Sequence, residues 1–267
     1  MLLAIDVGNT NTVIGAYRQG QDELIDHWRA STVASRTADE WLMLFRDFLS
    51  WSVETSGVID AVVLASVVPK VTDNLRRMCG RLGVEPLVVD WSTDTGMPVL
   101  LDNPREVGAD RLANAVAAYA AEGGPAIVVD MGTATTLDVV SVNGEYLGGV
   151  ILPGMEISLD ALFDRAAALK RVDLIPPDNV IGKSTVGAVR SGATYGYAAQ
   201  VDGLCERIEK ELGPCRIIST GGLAGVIAPL SDRIQRHDPW LTLHGLRLIQ
   251  QRLAGQERAS TNGTNNV

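Results

Sequence analysis

Cysteine is scarce: Cys79, Cys205 and Cys215 are three widely spaced residues in a chain of 267. That spacing suits neither a disulfide framework nor a zinc site, so they read as reduced packing residues of a cytosolic protein. Basic side chains are also few, 23 against 32 acidic ones, for a net charge of −9. An acidic surface argues against nucleic acid as a partner, because phosphate backbones need clustered Lys and Arg. No apolar run approaches the roughly 18–20 residues of a membrane span. Met1–Ile5 meets Asp6 at once, which argues against a secretory signal and reads as a first buried strand. His27, His237 and His244 lack ligand or triad spacing and read as surface or packing residues. There is no Gly-x-Ser-x-Gly elbow of a hydrolase and no Gly-x-Gly-x-x-Gly dinucleotide fingerprint. Gly182–Lys183–Ser184–Thr185 is not a P-loop, because Pro177 stands where the first glycine is needed. It reads instead as a loop that precedes a helix and offers the Thr185 hydroxyl.

What the chain does have is a near repeat. Met1–Leu2–Leu3–Ala4–Ile5–Asp6–Val7–Gly8–Asn9–Thr10–Asn11–Thr12 returns as Ala126–Ile127–Val128–Val129–Asp130–Met131–Gly132–Thr133–Ala134–Thr135–Thr136, almost half the chain later. Each copy is a short apolar run ending in Asp-x-Gly and a cluster of hydroxyl or amide side chains. A period that long belongs to two halves of one molecule, not to a solenoid or propeller. Each half would aim a strand and a polar turn at a shared cleft.

Strands and helices alternate around both copies, which indicates an α/β protein. Leu2–Asp6, Val13–Tyr17 and a segment near Ile25–Ala30 read as strands. Thr37–Ala38–Asp39–Glu40 has the spacing of a capping box and starts an amphipathic helix through Leu49. Ala61–Val68 and Pro86–Val89 are continuous apolar runs typical of strands covered on both faces, with a helix over Val71–Leu82 between them. A helix is expected from Arg105 to Ala121, ending at Gly123–Gly124–Pro125. That punctuation suggests domains over 1–122 and 123–254. The second half opens with the repeat, a hairpin at Asn143–Gly144 and Gly148–Gly154 leading into an Ala-rich helix. A helix over Arg190–Leu212, a strand over Arg216–Ser219 and a turn at Thr220–Gly221–Gly222 follow. The polar tail 255–267 is expected to be disordered.

Asp6 ends the first strand and can hold Mg²⁺ through water, since that ion gives up its waters reluctantly. Gly8 lets the backbone approach an anion, and Asn9, Thr10, Asn11 and Thr12 supply donors. A plain hairpin capped by its own Asp is the alternative for a single copy; two matching copies make it the weaker one. Gly108–Ala109–Asp110–Arg111 places a carboxylate beside a guanidinium near a helix start. The carboxylate can accept a proton from a substrate hydroxyl and the guanidinium can grip a substrate carboxylate. Taken alone, that segment reads better as a salt-bridged surface helix start.

Taken in order, these blocks resemble the type III pantothenate kinases, which belong with the acetate and sugar kinases, the heat-shock ATPases and actin in one superfamily. The resemblance spans Met1 to about Ile249. It rests on Asp6–Thr12, Asp102–Asn103–Pro104 through Arg111, Asp130–Thr136, Gly148–Gly149 with Pro153–Gly154, Gly182–Thr185, Thr220–Ala224 and Leu241–Leu246. It implies two duplicated ribonuclease-H-like (actin-like ATPase) domains with ATP in the cleft between them. The implied reaction is transfer of the γ-phosphate to the primary hydroxyl of pantothenate, the first step of coenzyme A synthesis. By the same resemblance, Asp6, Val7, Gly8, Asn9, Thr10, Asn11, Thr12 and Val13 would surround the ATP phosphates and Mg²⁺, and Thr133 would also touch ATP. Asp110 would be the general base. Gly108, Ala109, Asp110 and Arg111 would bind pantothenate, with Leu101 lining the pocket. Asp130 would hold a monovalent cation, K⁺ or NH₄⁺, and Thr185 would reach pantothenate from the partner subunit of a homodimer. Leu101 replaces the aromatic residue, usually Tyr, that the family often carries there, and so bears on pantothenate affinity. Met131 stands where a larger apolar residue is common, a packing change.

Two other functions share these motifs: a nucleotide-binding regulator without catalysis, and a superfamily kinase acting on a sugar or acetate.

Overall fold

The computed structural model describes residues 1–18, 20–51, 58–166 and 169–263. The chain forms two compact units, Met1–Ala117 with Thr242–Val267, and Ala118–Leu241. In the first, β1 (Leu2–Val7), β2 (Asn11–Tyr17) and β3 (Leu24–Ser31) form an antiparallel meander. β4 (Ala61–Ser66) and β5 (Leu87–Val88) then add in parallel on the far side of β1, for the order β3-β2-β1-β4-β5. In the second unit β6 (Ala126–Met131), β7 (Ala134–Val140) and β8 (Tyr146–Pro153) repeat the meander, and β9 (Arg216–Thr220) and β10 (Arg236–His237) repeat the parallel pair. The duplication extends to detail. β1 and β6 share one burial pattern, as do β2 and β7. Each outer hairpin carries a register shift at the matching place, Ala16/Tyr17 and Val139/Val140.

Alternation along the strands divides each sheet into two faces. Leu3, Ile5, Val7, Ile14 and Ala16 join the core under α1 (Ala38–Trp51) and α2 (Pro69–Arg81), with Trp41, Phe45, Leu75 and Met78. α1 begins with the expected capping box. The Thr37 N–H and hydroxyl donate to Glu40 Oε2 at 2.7 and 2.9 Å, which pulls the Glu40 carboxyl below its usual range, and the Glu40 N–H returns to Thr37 Oγ1 at 3.3 Å. In the second unit Ile127, Val129, Met131 and Leu137 pack with Met155 of α4 (Met155–Arg165), Ala198, Val201 and Cys205 of α5 (Thr185–Leu212), and Ala224 and Ile227 of α6 (Ala224–Ile227).

Three sequence-based expectations need correction. α3 covers Ala109–Glu122, not Arg105 onward. Pro104–Glu106 forms a separate 3-10 turn capped by Asn103, and Val107 is extended (ψ 127°), which breaks the helix there. The tail expected to be disordered from Gly255 is helical as far as Gly263, within α7 (Leu241–Gly263); residues 264–267 lie outside the described residues. The chain divides between Ala117 and Ala118, close to the expected 122, but the segment from Thr242 onward groups with the first unit and not with the second. Tertiary contacts drive that grouping. The Thr242 hydroxyl donates to Asn114 at 2.7 Å, His244 Nδ1 lies 3.0 Å from Tyr17 Oη, and Arg252 and Gln256 both donate to Asp94. Gly245 meets the α3 backbone so closely that a Cβ would sit 1.9 Å from Ala113 O.

Candidate active site

Both polar turns leave the carboxyl ends of parallel strands, the edge at which open α/β sheets bind ligands. In the first, Val7 pairs with Thr12 around four residues, and the Gly8 N–H donates to Asn11 O at 3.0 Å. Asn9 and Thr10 are exposed at the tip, whereas Thr12 is fully buried. Thr12 Oγ1 lies 2.9 Å from Thr32 Oγ1. Thr32 in turn donates its hydroxyl to Gly8 O at 2.8 Å and its N–H to Thr10 O at 2.9 Å. Thr12 and Thr32 therefore brace the turn from behind. The Val7 side chain faces the core, and its carbonyl accepts from the Val67 N–H. Asp6 and Val13 stand in register, partly buried, on the opposite sheet face.

The second turn is one residue shorter: Met131 pairs with Thr135, and the Gly132 N–H donates to Ala134 O at 3.0 Å. Thr133 is exposed and Thr135 buried. Met131 sits in the core as a packing residue. The neighbours of the two aspartates differ in kind. Asp6 is flanked in register by Val13 and Ala65, but Asp130 by Thr136 and Thr220. Gly221 crowds Asp130, since a Cβ there, where φ is +94°, would lie 2.5 Å from Asp130 Oδ1, and Gly154 crowds the turn backbone, where a Cβ would lie 2.1 Å from Thr133 O. A carboxylate between two hydroxyls is an all-oxygen donor set, which suits a hard cation. The residues at Asp130 thus offer oxygen donors compatible with a hard cation, K⁺ or NH₄⁺ included. Asp6, with apolar neighbours and an amide- and hydroxyl-bearing turn, fits Mg²⁺ held through water beside phosphate.

Asp110 lies in the first turn of α3, where the helix dipole favours negative charge. Its Oδ1 accepts the Arg111 N–H at 2.8 Å, and Gly108 makes room for it, since a Cβ there would stand 2.4 Å from that oxygen. Asp110 and Arg111 are both partly buried; Ala109 is buried. Leu101 is partly buried just ahead of the capped turn at Asn103. Trp91 escaped the sequence reading. It follows β5 at the carboxyl edge, is 43% exposed, and has the Arg105 guanidinium 5.0 Å from its ring centroid. Nothing in local spacing announces that contact. Asp138, Tyr146 and Thr32 were missed for the same reason.

Thr185 is exposed at the start of α5, after Ser184, whose hydroxyl caps the Gly187 N–H at 3.1 Å. The preceding loop is tied to α5 by Tyr195 Oη donating to Pro177 O and Ser191 Oγ donating to Val180 O. The cysteines are free and buried. Burial pushes the Cys79 thiol up to about 11 and Cys205 to about 12, so neither is poised as a thiolate. His27 and His237 are exposed, with His237 Nδ1 3.2 Å from Ser219 Oγ, and His244 is partly buried against Tyr17. No helix among the described residues is long and apolar enough to cross a membrane.

A family model described as type III pantothenate kinase matches residues 2–207. The chain belongs to the type III pantothenate kinase family. One relative carrying that name, from Frankia alni, is 52% identical over 252 residues, covering 93% of this chain and 98% of its own length. Among solved structures, a conserved Baf family protein from Campylobacter jejuni matches with a TM-score of 0.60 at 17% identity, over 95% of this chain and 99% of its own. An inorganic polyphosphate/ATP-glucomannokinase from Arthrobacter sp. strain KM matches with a TM-score of 0.50 at 15% identity, over 96% and 98%. At those identities the likeness is one of fold: the duplicated α/β architecture of actin-like ATPases and sugar kinases.

Proposed function

We propose that this member of the family phosphorylates pantothenate with ATP to give 4'-phosphopantothenate, opening coenzyme A synthesis in the cytoplasm. The observation that carries the mechanism is the partly buried Asp110 carboxylate at the α3 N-terminus, with Gly108 clearing space beside it. Asp110 accepts the proton of the primary hydroxyl as that oxygen attacks the γ-phosphorus and the bond to the β-phosphate bridge breaks. A positioned base contributes about 10²–10⁴ in rate. Arg111 pairs with the pantothenate carboxylate, and Gly108, Ala109 and Leu101 line the pocket. The turn from Asp6 to Val13 donates amide and hydroxyl hydrogens to the ATP phosphates, and Thr133 adds a further contact. When bound, Mg²⁺ at Asp6 and a monovalent cation at Asp130 offset phosphate charge, which is most of what phosphoryl transfer asks of a protein.

The active assembly is a homodimer in which Thr185 of the partner subunit reaches pantothenate. Support comes from apolar side chains left exposed around that helix start, with Val180 63%, Ile181 82% and Val186 45% exposed. Sedimentation will report twice the chain mass; a monomer at micromolar concentration with full activity would remove this assignment.

The test of function is a coupled assay with ATP, Mg²⁺ and pantothenate, run with K⁺ omitted and restored. Turnover that depends on both pantothenate and K⁺ is expected. Preference for a hexose would make the protein a sugar kinase. Nucleotide binding without any turnover would make it a regulator.

A further inference from the structure

The two halves share register but not polarity, and the difference lies in one row of side chains. On the face that carries Asp130, the second half places Thr136 in register with it, then Asp138 two residues on, then Tyr146 across the next strand. The matching places in the first half hold Val13, Gly15 and Leu24. At Gly15 the space is apolar: a Cβ would stand 2.8 Å from both Leu24 Cδ1 and Leu243 Cδ1. At Asp138 it holds a fully buried carboxyl group. The Thr136 hydroxyl donates to Asp138 Oδ2 at 3.0 Å and the buried Tyr146 hydroxyl donates to Oδ1 at 2.6 Å.

A threonine hydroxyl has one hydrogen and two lone pairs. With its hydrogen committed to Asp138, Thr136 presents only lone pairs to its other neighbours. A buried carboxylate is costly unless it is hydrogen-bonded, and this one accepts at both oxygens. The polar row recurs nowhere in the apolar twin, so the duplicated fold does not require it. The half that carries it is the one with the hydroxyl-flanked aspartate.

We propose that Asp138 is a positioning residue for the cation site. It fixes the Thr136 hydroxyl so that its oxygen faces a monovalent cation at Asp130, and Tyr146 holds Asp138 in place. The inference rests on the reading of Asp130 as the cation ligand. Groups behind the ligands orient them, and their loss typically weakens metal affinity about 10–100-fold.

The experiment is a K⁺ titration of the full chain, followed by thermal unfolding, with choline chloride holding ionic strength constant. A ligand that binds only the folded form raises the melting temperature with its concentration, so the titration yields an affinity independent of turnover. Asp138→Asn and Thr136→Val should each need about 10–100-fold more K⁺ for the half-maximal shift. Thr136→Ser, which keeps the hydroxyl, should restore the wild-type midpoint. If Asp138→Asn melts lower but responds to K⁺ at the wild-type concentration, Asp138 is only structural and the proposal falls. If Asp138→Asn does not fold, the two Thr136 variants decide, and a wild-type midpoint for Thr136→Val overturns it. A wild-type protein with pantothenate kinase activity and no K⁺ response would instead remove the cation from Asp130, and this proposal with it, leaving the kinase reading standing.

Discussion

Asp110→Asn will fold, bind ATP and lose about 10²–10⁴ in kcat. The amide matches the carboxylate in shape, so the space left by Gly108 accommodates it, and its oxygen can still accept the Arg111 N–H. What disappears is the group able to take a proton. The loss of negative charge in the first turn of α3 costs about 0.3–1 kcal/mol through the helix dipole, too little to unfold the unit. Chemistry and stability therefore separate in the measurement: a large fall in kcat, a small fall in melting temperature and an unchanged ATP affinity. Near-normal turnover would take the base role away from Asp110. A fall in ATP binding of similar size to the fall in kcat would mean that the substitution had disturbed the site as a whole.

Gly221→Ala is expected to damage both the fold and the Asp130 site. Gly221 has φ of +94°, where a side chain strains the backbone, and its Cβ would press on Asp130 Oδ1 at 2.5 Å and on Met131 N and C at 2.6 Å. Strain of about 1–2 kcal/mol and overpacking of about 1–3 kcal/mol act together. Two of the three opposing atoms are backbone of β6, so relief comes by moving Asp130. The expected result is a melting temperature lower by several degrees, together with loss of the K⁺ response. Gly192→Ala is the control: it lies inside α5 with no atom within 4 Å of the added Cβ, and alanine there should be neutral or stabilising by up to about 1 kcal/mol. Equal melting curves for the two variants would show that Asp130 does not depend on this close approach.

Much of the fold was legible because its determinants are local. The runs Leu2–Ile5 and Ala126–Val129, the Thr37–Glu40 capping box and the Asn143–Gly144 turn each specify their element through neighbours a few residues away. The false start of α3 at Arg105 has the same origin in reverse. Arg105 and Glu106 suit a helix, but the Asn103 cap closes a short 3-10 turn first. The tail went wrong because Gly255–Gly263 is polar and lacks an apolar face of its own. It is helical as the continuation of a helix whose anchors, Leu243, Leu246 and Ile249, come earlier.

The sequence by itself determined the duplication, the α/β class, the two Asp-x-Gly turns and the absence of a P-loop, since each is written in contiguous residues. Only the tertiary structure decided that α7 belongs with the first sheet, that Asp130 stands between two threonines while Asp6 stands between Val13 and Ala65, and that a buried Asp138 joins Thr136 to Tyr146. Those facts depend on strand register and on helix docking. Both are set by packing among residues far apart in the chain, where a shift of one residue turns every side chain to the other face of the sheet.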